Sequence, residues 1–395
     1  MKDLGYTEVD CVVMDLDKDQ EKALNIALNK ITGQWDEEKL AALIQELAPD
    51  MQTLTGFEAA EIDAMFNKNA DDIEEDEFDV PEDEELENTE PFTEFGDKWY
   101  LGEHRMVVGD STDPETYKHL LGEEQVDLVF TDPPYNVAYE GSDGKTIAND
   151  NMADDDFYLF LFNFYKSAID VTKPGGPIYV CHADSEGLNF RKALKEAGWD
   201  LKQNLIWVKN SLVLGRQDYQ WQHEPILYGW KPGAAHKWYG ARNKTTVWDN
   251  IPSMHIEEID SDTTQITIKP DMANTLVIKV PTHAVELEHV KDSETDIWYC
   301  EKPKKNGEHP TMKPLKLISK ALQNSSKRGD LVLDPFGGSG STLMACDEME
   351  RLGRTIEFDP KYADVIVNRY RSKHGEGEIF VERNGRRIHI TDLGE

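Results

Sequence analysis

The chain has 395 residues, with 42 Lys or Arg against 77 Asp or Glu and a net charge of −35. That length can bury a sizeable core and hold two or three units, while the charge at first argues against a nucleic-acid partner. No apolar run approaches membrane length, the N-terminus has no signal-peptide pattern, and Cys11, Cys181, Cys300 and Cys346 lack pairing or metal spacing, so a soluble protein of a reducing cytoplasm is expected, without membrane or metal.

The charge is unevenly placed. Residues 1–95 hold 29 acidic and 6 basic residues, a balance of −23, and the remaining 300 hold 48 and 36, or −12. At the start, Lys18 to Lys30 places Ala23, Leu24, Ile26, Ala27 and Leu28 at helical positions. Asp36 caps a second expected helix, with Leu40, Leu43, Ile44 and Leu47 on one face. The stretch from Ala27 to Leu40 resembles the C-terminal part of a ParB-like domain. The segments that would carry that family's nucleotide-binding and nuclease motifs are absent, so residues 1–52 are expected to dock or dimerise. Residues 71–90 then hold 13 Asp or Glu and no Lys or Arg. Such a block repels itself, so residues 53–96 read as an acidic flexible linker; a sharper alternative is a DNA mimic covering a cleft.

From Lys98 the pattern changes. Trp99–Leu101 and His104–Val108 read as strands, Pro114–Leu121 as a helix, and Val126–Phe130 as a short buried strand. Pro133 and Pro134 end that strand because neither can donate a ladder hydrogen bond. Asp132 therefore stands at a strand's C-terminal lip with Tyr135 behind it, where open α/β sheets bind ligands. Taken alone, Asp-Pro-Pro fits a strand-ending turn equally well. The pattern also suits attack by an exocyclic amine. Asp132 and the Pro133 carbonyl can accept its two N–H groups, localising the nitrogen lone pair, while Tyr135 stacks on the base. Residues 136–156 have loop composition and are a candidate cover, and Phe157–Val171 is an aromatic amphipathic helix expected to pack on the sheet.

Residues 201–250 hold 7 Lys or Arg against 3 Asp or Glu and five of the nine Trp. Interleaved basic and aromatic residues suit backbone neutralisation and base stacking, so Arg216, Lys231, Lys237, Arg242 and Lys244 are candidate DNA contacts. Trp207, on the apolar strand Asn204–Val208, is expected to be core. His223 and Glu224 lack a third ligand and make no metal site. Gln265–Ile268, Leu276–Val280 and Ala284–Val290 alternate like short strands and suggest a β insertion over about 251–300.

Leu331–Leu333 reads as a buried strand, Asp334–Gly340 as a glycine-rich turn, Ser341–Leu352 as a helix with Gly353 as its C-cap, and Thr355–Phe358 as a strand carrying Glu357. Strand, glycine turn, helix, strand and acid form a nucleoside-binding unit, with the acid on the ribose hydroxyls. Phe-Gly-Gly-Ser-Gly is not the dinucleotide fingerprint and no lysine follows to hold a phosphate, so the turn suits a nucleoside without phosphates. Tyr362–Tyr370 reads as a helix, and Asn384-Gly385 centres a type I′ hairpin candidate.

Together, Asp132-Pro133-Pro134-Tyr135, the Phe336-to-Gly340 loop, Gly109-Asp110, Pro174–Val180 and His309–Pro314 resemble the amino-methylating DNA methyltransferases, in the permuted order with the catalytic motif before the cofactor loop. The resemblance covers roughly residues 97–373. It implies an α/β, Rossmann-like fold with a mostly parallel central sheet, beside the small helical N-terminal segment. It also implies S-adenosylmethionine as cofactor, double-stranded DNA as partner, a flipped target base, and a cytoplasmic protein encoded by a bacterium or phage. The implied catalytic residues are Asp132, Pro133, Pro134 and Tyr135. The implied cofactor residues are Asp110, Thr311, Lys313, Asp334, Phe336, Gly337, Gly338, Gly340 and Glu357. The family's cytosine members usually carry Ser where this chain has Asp132, which favours N6 of adenine over N4 of cytosine. The alternative from another class is a non-catalytic ParB-like accessory. Residues 201–300 would form the target-recognition region and 374–395 a C-terminal hairpin and tail, with a homodimer possible.

Overall fold

The computed structural model describes residues 14–30, 39–40, 43–44, 46–47, 51, 53–57, 65, 68–81, 86, 88–137, 151–213, 218–240, 247–248, 253–260, 263–269, 276–281 and 312–393. The chain divides into two compact units, Met1–Asn67 and Lys68–Glu395. In the first, helix α1 (Lys18–Lys30) buries Ala23 and Ile26 against Leu40, Ile44, Leu47 and Phe57. Lys22 and Glu46 pair at 2.6 Å across this cluster, and the Lys30 ammonium lies 4.2 Å from the Phe57 ring centroid. Asp36 and half of the ParB-like stretch lie outside the described residues.

The second unit is built on an eleven-stranded sheet. Its described elements, in chain order, are β1 (Lys98–Leu101), β2 (His104–Val108), α2 (Pro114–Leu121), β3 (Leu128–Thr131), α3 (Asp154–Val171), β4 (Pro177–Cys181), α4 (Gly187–Glu196), β5 (Asp200–Val213), β6 (Trp221–Trp230), β7 (Val247–Trp248), β8 (Ser253–Asp260), β9 (Thr263–Lys269), β10 (Leu276–Pro281), α5 (Leu315–Ser325), β11 (Leu331–Asp334), α6 (Ser341–Glu348), β12 (Leu352–Glu357), α7 (Pro360–His374), β13 (Ile379–Arg383) and β14 (Arg386–His389). The large sheet runs β14-β13-β1-β2-β12-β11-β3-β4-β6-β5-β7. Its centre, β2-β12-β11-β3-β4, is parallel. β8, β9 and β10 form a separate antiparallel three-stranded sheet, as the alternation in 251–300 suggests; the expected strand Ala284–Val290 lies outside the described residues.

Period-two alternation decides which helix covers which face. Met106, Val108, Leu128, Phe130, Tyr179, Cys181 and Val332 pack with α5, α6 and α7. Val107, Val129, Ile178, Val180, Leu333 and Ile356 pack with α2, α3 and α4. The helices after β3 and β4 therefore lie on one face and those after β11 and β12 on the other. The strand order reverses between β11 and β3, and in an open α/β sheet the crevice beyond the carboxyl ends at such a reversal is where ligands bind.

Two expectations need correction. The helix after the glycine turn stops at Glu348, and Gly353 is not its cap. Glu350 reverses the chain at φ 57°, and Gly353 already belongs to β12, where its N–H donates to His104 Nδ1 at 2.9 Å. The expected C-terminal hairpin is present: Asn384 and Gly385 take the two positive φ values a type I′ turn requires, and β13 pairs with β1 to extend the main sheet. The acidic segment is not a solvated linker over its described part. Ala70, Ile73 and Val80 are buried, Glu75 accepts the Leu315 N–H at 2.7 Å, and Asp76 pairs with Arg369 at 2.7 Å. Composition hid this because the partners lie 240 and 293 residues away.

Candidate active site

Four neighbouring parallel strands each end in an acid. Asp110 follows β2, Glu357 closes β12, Asp334 closes β11 and Asp132 follows β3. The glycine turn between β11 and α6 is shaped by contact as much as by dihedral angle. Gly338 and Gly340 hold φ values of 50° and 83°. A Cβ on Gly337 would lie 2.6 Å from Thr355 Cγ2 and 2.8 Å from Ile366 Cδ1, whereas one on Gly338 would meet nothing within 4 Å. The turn is thus pressed against β12 and α7 at Gly337 and open at Gly338.

Glu357 accepts the N–H of Gly338 at 2.7 Å and of Asp359 at 2.9 Å. Burial nevertheless pushes its carboxyl up to about 7. Asp334 also rises to about 7 through burial, against hydrogen bonds from the Thr342 side chain, the Phe336 N–H and the Thr131 hydroxyl. Thr131 Oγ1 donates to Asp334 Oδ1 at 2.9 Å and ties β3 to β11. Asp110 turns back on its own loop, accepting Thr112 N and Oγ1, both at 2.8 Å. Phe336 packs edge-on to Phe164, with ring centroids 5.0 Å apart. These acids offer acceptors and no phosphate-binding cation. A ligand matched to them carries hydroxyl and amino donors and positive charge.

Asp132 sits in a charge network that the sequence did not disclose. Its Oδ1 accepts the Tyr135 hydroxyl at 2.6 Å, and its Oδ2 accepts the Lys313 ammonium at 2.6 Å. Glu224, on β6, lies 3.1 Å from the same Tyr135 hydroxyl and 3.4 Å from Lys313, and is also paired with Lys209. Burial raises the Asp132 carboxyl above its ordinary range against the pull of Lys313. Burial would also raise Glu224, but Lys313 and Lys209 outweigh it and hold that carboxyl at about 2. Lys313 stays charged because Asp132 and Glu224 overcome its own desolvation. Its ammonium also lies 5.2 Å from the Tyr135 ring centroid. Lys313, expected as a cofactor residue, is paired with Asp132. His182, just past β4, is buried, and desolvation lowers it to about 4, leaving a neutral ring.

Asn136 was also missed. It takes φ 58°, a conformation asparagine tolerates, and its side-chain amide brackets Met152, donating to O at 3.1 Å and accepting from N at 2.6 Å. The two flanks of the expected cover are pinned together there; residues 138–150 lie outside the described residues. Pro133 is buried and Pro134 half-buried behind Asp132.

The candidate DNA contacts fare unevenly. Lys231 donates to the carbonyls of Ile169 and Thr172, both at 2.7 Å, capping α3, and Lys237 pairs with buried Asp127 beside Lys173. Both ammoniums have partners within the fold. Arg216, Arg242, Lys244 and Thr311 lie outside the described residues. Trp207 is 1% exposed and packs in the core.

A family model described as DNA methylase matches residues 126–368. The type II methyltransferase M.HpaI of Haemophilus parainfluenzae is 27% identical over 264 residues, covering 67% of this chain and 74% of that protein. The DNA adenine methyltransferase YhdJ of Escherichia coli is 28% identical over 252 residues, covering 62% and 76%. Among solved structures, the M1.HpyAVI–SAM complex aligns over 67% of this chain and 98% of that one, at 21% identity and a TM-score of 0.40.

Proposed function

The chain belongs to the N6/N4 DNA methylase family, and from that premise we propose that it transfers a methyl group from S-adenosylmethionine to the N6 amine of an adenine flipped out of double-stranded DNA. The observation that carries the reading is the placement of Asp132 and the glycine turn on either side of the strand-order reversal, bridged by Thr131 and Asp334.

The cofactor fits the residues present. Glu357 and Asp110 would take its hydroxyl and adenine donors, Asp334 its amino group, and the open side of Gly338 its bulk. The acids Asp110, Asp334 and Glu357 on the cofactor side favour a cation and disfavour phosphates. When bound, S-adenosylmethionine supplies an electrophilic methyl on a sulfonium.

The chain's own residues prepare the amine. Each Asp132 oxygen keeps lone-pair capacity beyond the bonds from Tyr135 and Lys313. Asp132 and the Pro133 carbonyl accept the two amine N–H groups, and the Tyr135 ring holds the base in line. Lys313 pulls the Asp132 carboxyl down against the burial that raises it, and Glu224 pairs with both Lys313 and Lys209. An aspartate rather than a serine at position 132, and the word adenine in the name of the E. coli relative, support adenine as the target.

The test is Asp132→Ala. Methyl transfer should fall by at least about 10²–10³-fold, the scale of losing transition-state acceptors in a dry pocket, while cofactor affinity measured by calorimetry stays near the parent value. Transfer at the parent rate would refute the assignment.

A further inference from the structure

We propose that the acidic segment 68–81 is a positioning arm of the active site: Asp76 sets the glycine turn through Arg369, and Glu75 sets Lys313 through the start of α5. The proposal rests on the methyl-transfer reading above and concerns a segment that lies ahead of the family-matched residues.

Two consecutive carboxylates reach the two halves of the site. Asp76 grips Arg369 with both oxygens, at 2.7 Å to Nε and 3.2 Å to Nη2. The other terminal nitrogen of Arg369 donates to the Ser339 carbonyl at 2.9 Å and the Ser341 hydroxyl at 3.2 Å. Ser339 stands between Gly338 and Gly340, so this guanidinium holds the backbone of the cofactor turn. Arg369 is 1% exposed, and Asp76 is its ion-pair partner among the described residues. A buried guanidinium stripped of its carboxylate is strongly unfavourable and would move towards water or another acceptor, taking its grip on the turn with it.

Glu75 acts on the other half. Helix α5 begins at Leu315, and Pro314 at its N-cap provides no side-chain acceptor. The first N–H groups of a helix need an outside partner, and Glu75 supplies one to Leu315 at 2.7 Å. Lys313, whose ammonium holds Asp132, lies two residues upstream of that bond. Burial raises the Glu75 carboxyl to about 7, consistent with a group enclosed by the catalytic unit rather than solvated on a tether. The arm is fastened on either side of these two residues. Lys68 pairs with Glu348 at 2.9 Å, the Ala70 N–H donates to Gln323 at 3.2 Å, and Val80 packs on Met312 and Val365.

The experiment compares the full-length parent with Asp76→Asn, Asp76→Glu and Glu75→Gln, by calorimetry with S-adenosylmethionine and by steady-state methyl transfer to DNA. Asp76→Asn should weaken cofactor binding by about 10-fold or more, the scale of one charge-assisted hydrogen bond, with the loss seen in the cofactor KM more than in kcat. Asp76→Glu should recover most of it. Glu75→Gln should show the opposite split, lowering kcat with cofactor affinity near the parent's. A purely structural arm would lower the melting temperature of Asp76→Asn and leave cofactor affinity of the folded protein unchanged, which overturns the proposal. A measurement on the parent alone avoids any folding failure. By reciprocity of coupling, cofactor binding should increase amide-exchange protection of residues 68–81, and unchanged protection overturns the arm's role. A parent that binds no S-adenosylmethionine overturns the methyl-transfer reading itself; a parent that binds, with Asp76→Asn binding equally well, overturns the arm alone.

Discussion

Replacing Lys313 with methionine removes one cation from a cluster in which Asp132, Glu224 and the Tyr135 hydroxyl already converge. The ammonium lies 2.6 Å from Asp132 and 3.4 Å from Glu224. At an effective dielectric of about 20, the two contacts are worth roughly 6 and roughly 5 kcal/mol of attraction. Glu224 keeps Lys209, so the loss falls chiefly on Asp132, whose carboxyl burial already raises. Without Lys313 that carboxyl should hold a proton at neutral pH and lose acceptor capacity towards the amine. Methyl transfer at pH 7 should drop by about 10²-fold, the effect of disabling one preorganised polar group, and recover as pH rises towards 9. Stability should follow the same sign. Because the folded-state carboxyl of the variant lies further above its unfolded value than the parent's does, its stability deficit is smallest in acid, grows as pH rises from the parent's folded value to the variant's, and levels off above that. The assay is radiolabelled methyl transfer to DNA at saturating cofactor from pH 6 to 9, with thermal melts alongside. A variant with the parent's pH profile, whatever its absolute rate, would refute the reasoning.

Two further changes probe the scaffold. Gly337→Ala should push β12 and α7 away from the turn, since its Cβ would lie 2.6 Å from Thr355 Cγ2; a stability loss of about 1–3 kcal/mol and weaker cofactor binding are expected in denaturant titration and calorimetry, and parent-like values for both would contradict the packing account. Asp347, which burial would raise but which His104, Lys373 and His374 together hold well below the usual carboxylate range, stabilises the fold above its unfolded pKa and loses that contribution as pH falls through its folded value; Asp347→Asn should cost about 1–3 kcal/mol at pH 7 and much less in strong acid, so an equal loss at both pH values would count against it.

Sequence legibility divides along contact range. The strand before Asp132, the helix Pro114–Leu121 and the glycine turn could be read because periodicity, proline and glycine act locally. Asp132 and Asp334 followed from the same local grammar, standing where apolar runs stop, while Glu357 followed from the order strand, glycine turn, helix, strand and acid, and Asp110 from the family resemblance. Lys313 could not be placed, because its partner Asp132 is 181 residues away and a lysine in a Thr-Met-Lys-Pro run carries no mark of what it will face. Glu224 was noticed and set aside when weighed as a metal ligand; its place as a charged residue leading into the apolar run Pro225–Gly229 of β6 was the usable signal. The acidic arm misled for a physical reason. Composition weighs charge against apolar content, but three small apolar anchors and two carboxylates suffice once buried arginine and an uncapped helix start await them. For Lys231 and Lys237 the sequence did not show their partners in the fold, since basic residues near tryptophans suit a polyanion and equally suit a helix C-terminus and a buried aspartate.

The most direct test of the central claim is the chemical identity of the methylated nucleoside. Unmethylated plasmid DNA is incubated with the purified chain and S-adenosylmethionine carrying a labelled methyl group, digested to nucleosides and separated by chromatography with mass detection. The account predicts label in N6-methyladenine, dependent on Asp132. Label confined to N4-methylcytosine would contradict the adenine assignment, and DNA without label, from a chain that binds the cofactor, would contradict the reaction.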